Sequence, residues 1–382
     1  MTDAYILDAV RTPFGKRKGA LSQWRPDDLL AWNIGELLKR SEVDRAQIED
    51  LVVGCVTQIG HQGTNVARLA GLIAELPVDT GGVTLNRMCG SGQQAANFAA
   101  MAVMADQMDL VMAAGVEHMT SVAIGSDSDW GDFSPELTKR WDVLHQGESA
   151  ERIADRWDIT REELDAFSLA SHERAIAAQD AGFFKSEVAP VPTVPWDDAS
   201  DRLDRDELPR RGSSLEKLAA LSPVFREDGR ITAGSSSGIN DGAGAMLIGS
   251  RAKANELGVT PRARIVRTAV AGVDPEIMLT GPIPATRKVL DKAGLSVSDI
   301  DTFEVNEAFA SVPLAWLREI KAPEEKLNPN GGAIAIGHPL GASGVRLLTT
   351  AVNQLEATGG TYALIAMCIG FGQATATILE RV

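Results

Sequence analysis

The chain has 382 residues, of which 44% are hydrophobic and 36 are glycine, and a formal net charge of −15. That length exceeds one ordinary domain, and the acidic balance argues against nucleic acid or an anionic membrane as partner. Three cysteines are too few for a disulfide scaffold and cannot pair evenly, so reduced thiols in the cytoplasm are expected. No basic segment followed by an apolar stretch opens the chain, and no uncharged apolar run is long enough to span a bilayer.

Taken in order, Ala4 to Val10 alternates as a strand and Asp27 to Lys39 has helical apolar spacing. Leu51 to Val53 reads as a strand, Asn65 to Ala74 as a helix, and Val83 to Leu85 as the end of a buried strand. Gly90, Ser91 and Gly92 then make a tight turn before a small, apolar helix, Gln93 to Ala105. Cys89 thus sits where strand hands over to helix. Unpaired N–H groups and the helix dipole there favour a thiolate, while a plain buried cysteine is the structural alternative. Asp109 to Gly115 is a further short strand.

Thr120 to Ser237 breaks this pattern. Ser126 to Asp142 is polar and turn-rich, Ser149 to Ala178 carries two helices, and Pro190 to Leu208 is loop. Thr160 with Glu163 has the spacing of a capping box. Arg202, Arg205, Arg210, Arg211 and Lys217 form a basic run in an acidic protein, either a solvated face or a phosphate contact.

The first order of elements then returns. Ala263 to Ala269 is a strand, Pro284 to Ala293 a helix, Thr302 to Val305 a strand and Ala308 to Lys321 a helix. A helix, Ser343 to Leu355, follows the turn G-A-S-G, and Tyr362 to Met367 is a strand. One constant offset carries Gly54 onto Asn306, Cys89 onto Gly341 and Gly115 onto Met367, which argues for duplication. Alternating strands and helices imply an α/β fold with parallel units. Residues 1–119 with 238–250 form one half, 120–237 an inserted lid, and 251–382 the other half. Ligands of such sheets bind beyond the carboxyl ends of strands, so both turns are expected to face one shared floor.

Several residues at strand ends could carry chemistry. Asn306 opens N-E-A-F-A, His338 lies inside G-G-A-I-A-I-G-H-P-L-G-A-S-G, and Cys368 begins C-I-G-F-G-Q. Each has a bland reading as helix cap, loop histidine or core thiol. Metal-ligand spacings are absent, and so are the glycine fingerprints of nucleotide sites. Two cysteines, one histidine and one asparagine beside glycines suit acyl transfer, in which a thiolate needs a base and an oxyanion needs fixed donors.

The sequence resembles the thiolase family over essentially its whole length, through N-R-M-C-G-S-G at Cys89, S-S-S-G-I-N-D-G-A at Ser235, and the three motifs just given. The resemblance implies two similar β-α-β-α-β-α-β-β halves in a layered α-β-α-β-α core, with a loop domain covering coenzyme A. It implies that Cys89 attacks an acyl thioester and that His338 takes its proton and, with a water held by Asn306, forms one oxyanion site. The N–H groups of Cys89 and Gly370 would form the other, and Cys368 would move the proton at the α-carbon. His145 and Ser237 would contact the pantetheine arm and Arg210 the adenine nucleotide. Coenzyme A is then a substrate, with no cofactor or metal. A homodimer, or a tetramer, and β-oxidation enzymes as partners are implied as well. Two positions depart from the family pattern: Phe371 stands where glycine is frequent after Gly370, and Gln146 where the lid often has methionine. The rival readings are a ketoacyl-acyl-carrier-protein synthase, which pairs its nucleophile with two histidines, and a non-catalytic CoA-binding scaffold in a multi-enzyme complex.

Overall fold

Two runs of alternating strands and helices, related by one offset, build the same unit twice. The computed structural model describes residues 2–128 and 132–382, so 129–131 of the turn-rich stretch lie outside the described residues. The first unit runs β1 (Ala4–Arg11), α1 (Pro26–Ser41), β2 (Asp50–Gly54), α2 (Val66–Ile73), β3 (Val83–Leu85), α3 (Ser91–Met104) and β4 (Leu110–His118). An excursion follows, with α4 (Gln146–Arg156) and α5 (Arg161–Asp180), before β5 (Asn240–Ser250) returns to the sheet. The second unit runs β6 (Ala263–Gly272), α6 (Pro282–Ala293), β7 (Thr302–Val305), α7 (Ser311–Ile320), α8 (Leu340–Thr358), β8 (Tyr362–Ile369) and β9 (Gln373–Arg381).

Local chemistry sets the helix ends. Pro26 opens α1 with Asp27 and Asp28 in its first turn and Lys39 and Arg40 in its last, all favourable to the helix dipole. At α5, Thr160 and Glu163 form the reciprocal capping box that their spacing predicts.

The first sheet is ordered β3-β2-β4-β5-β1 and the second β7-β8-β9-β6. Matched by position in each unit, the order is the same in both. A parallel bridge from Phe303 to Leu327 occupies the place of the missing third strand of the second copy. The two sheets meet through a short antiparallel pairing of β1 with β6, Tyr5 to Arg264 and Ile6 to Ala263. Between them lie α3 and α8. Ala95, Ala99, Leu348 and Ala351 on these helices share one core with Val111 and Ile248 of the first sheet and Ile365 and Met367 of the second. Leu30 and Ile34 of α1 and Ala67 of α2 cover the outer face of the first sheet. Val289 of α6 and Trp316 of α7 cover that of the second. The layers are therefore α-β-α-β-α.

Backbone contact between the two halves fixes the register of the central helices. A Cβ on Gly92 would lie 2.4 Å from the carbonyl oxygen of Gly341, and one on Gly115 would lie 2.0 Å from it. A Cβ on Gly344 would lie 2.0 Å from the amide nitrogen of Gln93. No side chain fits there without moving backbone, so glycine lets the starts of α3 and α8 touch. The buried carboxylate of Glu117, at the end of β4, reinforces the contact. It accepts N–H bonds from Val56 (3.0 Å), Thr57 (3.1 Å) and Gly341 (3.0 Å) and from the Gln62 amide (2.8 Å). Among the described residues no helix is long and apolar enough to cross a membrane.

Candidate active site

The touching helix starts put Cys89 and the segment 331–339 that leads into α8 at one level. Cys89 is 2% exposed and follows Met88, whose φ of 45° is in the left-handed region. The turn consumes its own donors: Gly90 N–H bonds the Arg87 carbonyl at 3.0 Å and Ser91 N–H the Met88 carbonyl at 3.0 Å. The sulfur is left with the N–H groups of Gly370 and of Cys89 itself and the side chain of Gln146. Burial dominates and pushes the thiol up to about 11, the three donors opposing it. The thiolate expected from the helix start is therefore not the resting form. The first N–H groups of the helix are spent inside the turn, and desolvation outweighs the dipole.

Asn306, His338 and Cys368 come from three other elements. Asn306 follows β7 and is tied to β8 by its N–H on the Ala366 carbonyl at 3.0 Å. His338 is 3% exposed, its backbone N–H held by Asn240 Oδ1 at 2.8 Å. Its ring is oriented at both nitrogens. The Ser343 hydroxyl donates to the Pro339 carbonyl at 2.8 Å, so at 2.6 Å it accepts from Nδ1–H of His338. Nε2 therefore carries the lone pair, with the Asn306 carboxamide nitrogen 3.3 Å away. Burial, aided by the positive Arg346, lowers the His338 imidazole to about 4 and keeps it neutral. Cys368 is fully buried, and burial pushes its thiol up to about 12. A negative Cys89 raises it further, whereas bonds from the Asn306 side chain and the Ala308 N–H oppose the shift. The two sulfurs are thus electrostatically linked, and the Asn306 amide serves both Cys368 and His338.

Three adjoining cavities lead to this cluster. The outer one, about 430 Å³, is open at Lys16, Arg17 and Arg210 and reaches Ser236 and Ile239. The middle one, about 410 Å³, shares Ser236, Gly238 and Ile239 with it and includes His145, Ser237, Phe309 and His338. The inner one, about 200 Å³, shares Ile124, Gly125, Gln146 and Leu340 with the middle and is lined by Cys89, Gly370 and Phe371. His145 caps α4 through Gly147 N–H (3.1 Å) and stacks on Phe225 at 5.3 Å. The basic run divides. Arg202 pairs with Asp198, Arg205 with Asp204 and Arg211 with Asp180, and Lys217 bonds the Gly212 carbonyl, while Arg210 lines the outer cavity.

Phe371 holds φ 59°, a backbone conformation that favours glycine. Its N–H meets the Met278 sulfur at 3.2 Å, and its ring meets Phe133 edge-on at 6.0 Å in the wall of the inner cavity. Sequence reasoning passed over Ser343, Asn240 and Glu117, which orient the histidine and its loop. Only the G-A-S-G turn and the polar end of a buried strand pointed to them.

Two buried thiols, a neutral imidazole with one unprotonated nitrogen and a carboxamide, at the end of a channel with a basic mouth, equip the site for cysteine-based acyl transfer. Residues 4–252 match the family described as Thiolase, N-terminal domain, and residues 259–381 the one described as Thiolase, C-terminal domain. The chain is 48% identical, over 100% of its length and 95% of the relative's, to a steroid 3-ketoacyl-CoA thiolase of Mycobacterium tuberculosis. It is 44% identical, over the whole of both chains, to a 3-oxoadipyl-CoA/3-oxo-5,6-dehydrosuberyl-CoA thiolase of Escherichia coli. The crystal structure of the Bacillus anthracis acetyl-CoA acetyltransferase superposes with a TM-score of 0.92 at 36% identity, covering 100% of this chain and 99% of that one. The chain belongs to the thiolase family and is an acyltransferase.

These ionisation states have a measurable consequence. A base is active when unprotonated, and His338, lowered to about 4, is unprotonated throughout the neutral range. Single-turnover acylation by acetyl-CoA is therefore expected to be level from about pH 5 to about pH 9. An inflection near the ordinary histidine value, about 6.5, would show that the imidazole is not the buried neutral base.

Proposed function

We propose that the chain exchanges acyl groups with coenzyme A in two half-reactions through an acyl-Cys89 intermediate. In the cleaving direction Cys89 Sγ attacks the 3-oxo carbon of a 3-oxoacyl-CoA and its proton passes to His338 Nε2. The bond between C2 and C3 breaks, the electron pair stays on C2 as the enolate of acetyl-CoA, and Cys368 protonates it. Coenzyme A then enters and gives its thiol proton to the Cys368 thiolate, its sulfur takes the acyl group, and Cys89 leaves with the electron pair of the broken S–C bond and recovers its proton from His338. The N–H groups of Cys89 and Gly370 hold the oxyanion on the acyl carbon, and His338 with a water on Asn306 holds the enolate oxygen. Condensation is the reverse. The observation that carries this scheme is the orientation of His338, whose Nδ1–H is committed to Ser343 so that Nε2 is left to accept a proton.

Coenzyme A acts as a substrate in this scheme, and no step calls for a metal or redox group. Its pantetheine arm would run past Ser237 and His145, and its phosphates would meet Arg210, Lys16 and Arg17 at the basic mouth. The setting is the cytoplasm, in keeping with three free cysteines. The quaternary state is a homodimer, since Phe98 and Met101 on α3 are 43% and 42% exposed, an apolar pair that a second copy would cover. Light scattering at the mass of a single chain would contradict the dimer.

The inner cavity bounds the acyl group. Val56, Leu144, Met278, Phe133 and Phe371 make most of its wall apolar, and among the described lining residues the one charged group is the acidic Asp127, with no lysine, arginine or histidine. It exceeds the roughly 150 Å³ that accommodates benzene, so a single ring or a branched chain of similar bulk fits. A carboxylate at the far end of the acyl group, as in an oxoadipyl chain, would lose water with no cation to meet it. The favoured substrates are therefore 3-oxoacyl-CoAs with uncharged apolar acyl groups. The ratio of kcat/KM for 3-oxooctanoyl-CoA to that for 3-oxosuberyl-CoA is expected to exceed about 100. Equal rates would remove the charge argument.

The division of labour is tested by Cys368→Ala. Acyl transfer to Cys89 needs His338, whereas C2 needs Cys368. The variant is expected to take up an acetyl label at a rate within about threefold of the parent while acetoacetyl-CoA synthesis falls at least about 100-fold. Parallel loss of both steps would assign Cys368 to the first half-reaction as well.

A further inference from the structure

Gln146 opens α4 at the neck between the inner and middle cavities and lines both. Its backbone is held on three sides. His145 caps the helix through Gly147 N–H at 3.1 Å. A Cβ on Gly147 would lie 2.2 Å from the Phe225 ring, so the helix start is wedged against that residue. One turn on, the buried carboxylate of Glu151 accepts N–H bonds at 2.9 Å from Arg230 and from Ile231. The side chain is placed as closely. Its Nε2 is 2.9 Å from where a Cβ of residue 370 would stand, so the carboxamide lies over the bare Cα of Gly370, in the lining of the cavity that also holds Cys89.

We propose that Gln146 is a catalytic residue, its carboxamide N–H being a donor to Cys89 Sγ beside the N–H groups of Cys89 and Gly370. The proposal rests on the acyl-Cys89 reading. Negative charge passes through the sulfur twice: when its proton leaves for His338, and when the S–C bond of the acyl intermediate breaks and the electron pair returns to sulfur. A donor already held in place steadies both states without reorganisation. Backbone N–H groups cannot be removed by mutation, but Gln146 can. Burial raises the Cys89 thiol, and a bond from the Gln146 side chain opposes that rise. No charge is added, so the neutral resting state is preserved, unlike a site that uses a lysine for the same task.

Wild-type thiolysis of acetoacetyl-CoA is measured first, because its absence would defeat the thiolase scheme and leave Gln146 aside. Gln146→Met then keeps length and removes the donor, with thermal melting as the check on folding. Its kcat is expected to fall about 10- to 100-fold with KM within about threefold. The pH profile for alkylation of Cys89 by iodoacetamide, with acetyl-CoA protection identifying the site, is expected to move up by about one unit. Gln146→Glu places a like charge beside the sulfur and is expected to move it further. A loss of kcat with an unmoved alkylation profile would make Gln146 a packing residue and overturn the proposal. So would a Glu variant as reactive as the parent. If Gln146→Met melts early, the Glu variant, which keeps shape and polarity, decides the question by its profile alone.

Discussion

The carbonyl oxygen of Gly341 lies close against Gly92 and Gly115, too near for either to bear a side chain, and the site depends on that contact. It brings the first turn of α8 onto the first turn of α3, one from each half of the molecule. Cys89 lies just ahead of α3 and His338 just ahead of α8. The two strand ends that carry Asn306 and Cys368 reach the same level because β7 and β8 pair in parallel, Val305 beside Ala366. Duplication thus supplies two helix starts, and glycine lets them meet without intervening side chains. Glu117 gathers N–H groups from the first half and from Gly341 in the second, so one carboxylate serves both sides of the contact.

Burial sets the chemistry of the assembled site. Both thiols are raised and the imidazole is lowered, each chiefly by desolvation. All three groups are therefore neutral at rest, and proton transfer has to accompany bond formation. This suits a site that must handle thioesters without leaving a reactive thiolate open to oxidation. The few donors aimed at sulfur and oxygen then act where water is excluded, which makes each of them worth more than it would be at the surface.

Much of this was legible in the chain. The constant offset that relates Gly54 to Asn306 and Cys89 to Gly341 predicts a repeated unit, and the sheet order repeats accordingly. Glycine-flanked strand ends pointed to Cys89, Asn306, His338 and Cys368 because close backbone approach demands small residues. The ionisation of Cys89 was not legible, since it depends on which N–H groups the turn consumes. The basic run left two readings open, because pairing depends on neighbours: Asp180, distant in sequence, meets Arg211 and Asp198 meets Arg202, while Arg210 lines the outer cavity. Nor did the sequence indicate where Gln146 or Phe371 would sit. Their importance comes from tertiary placement, one over Gly370 and the other in a left-handed conformation against Phe133.

Covalent catalysis at Cys89 is tested most directly by mixing the protein with acetyl-CoA in the absence of a second substrate and recording intact mass and released coenzyme A. A stoichiometric burst of coenzyme A with one acetyl group per chain, mapped to the Cys89 peptide and absent in Cys89→Ala, is the expected result. Turnover of acetoacetyl-CoA without any acetylated chain, or full acetylation of the Cys89→Ala variant, would contradict it.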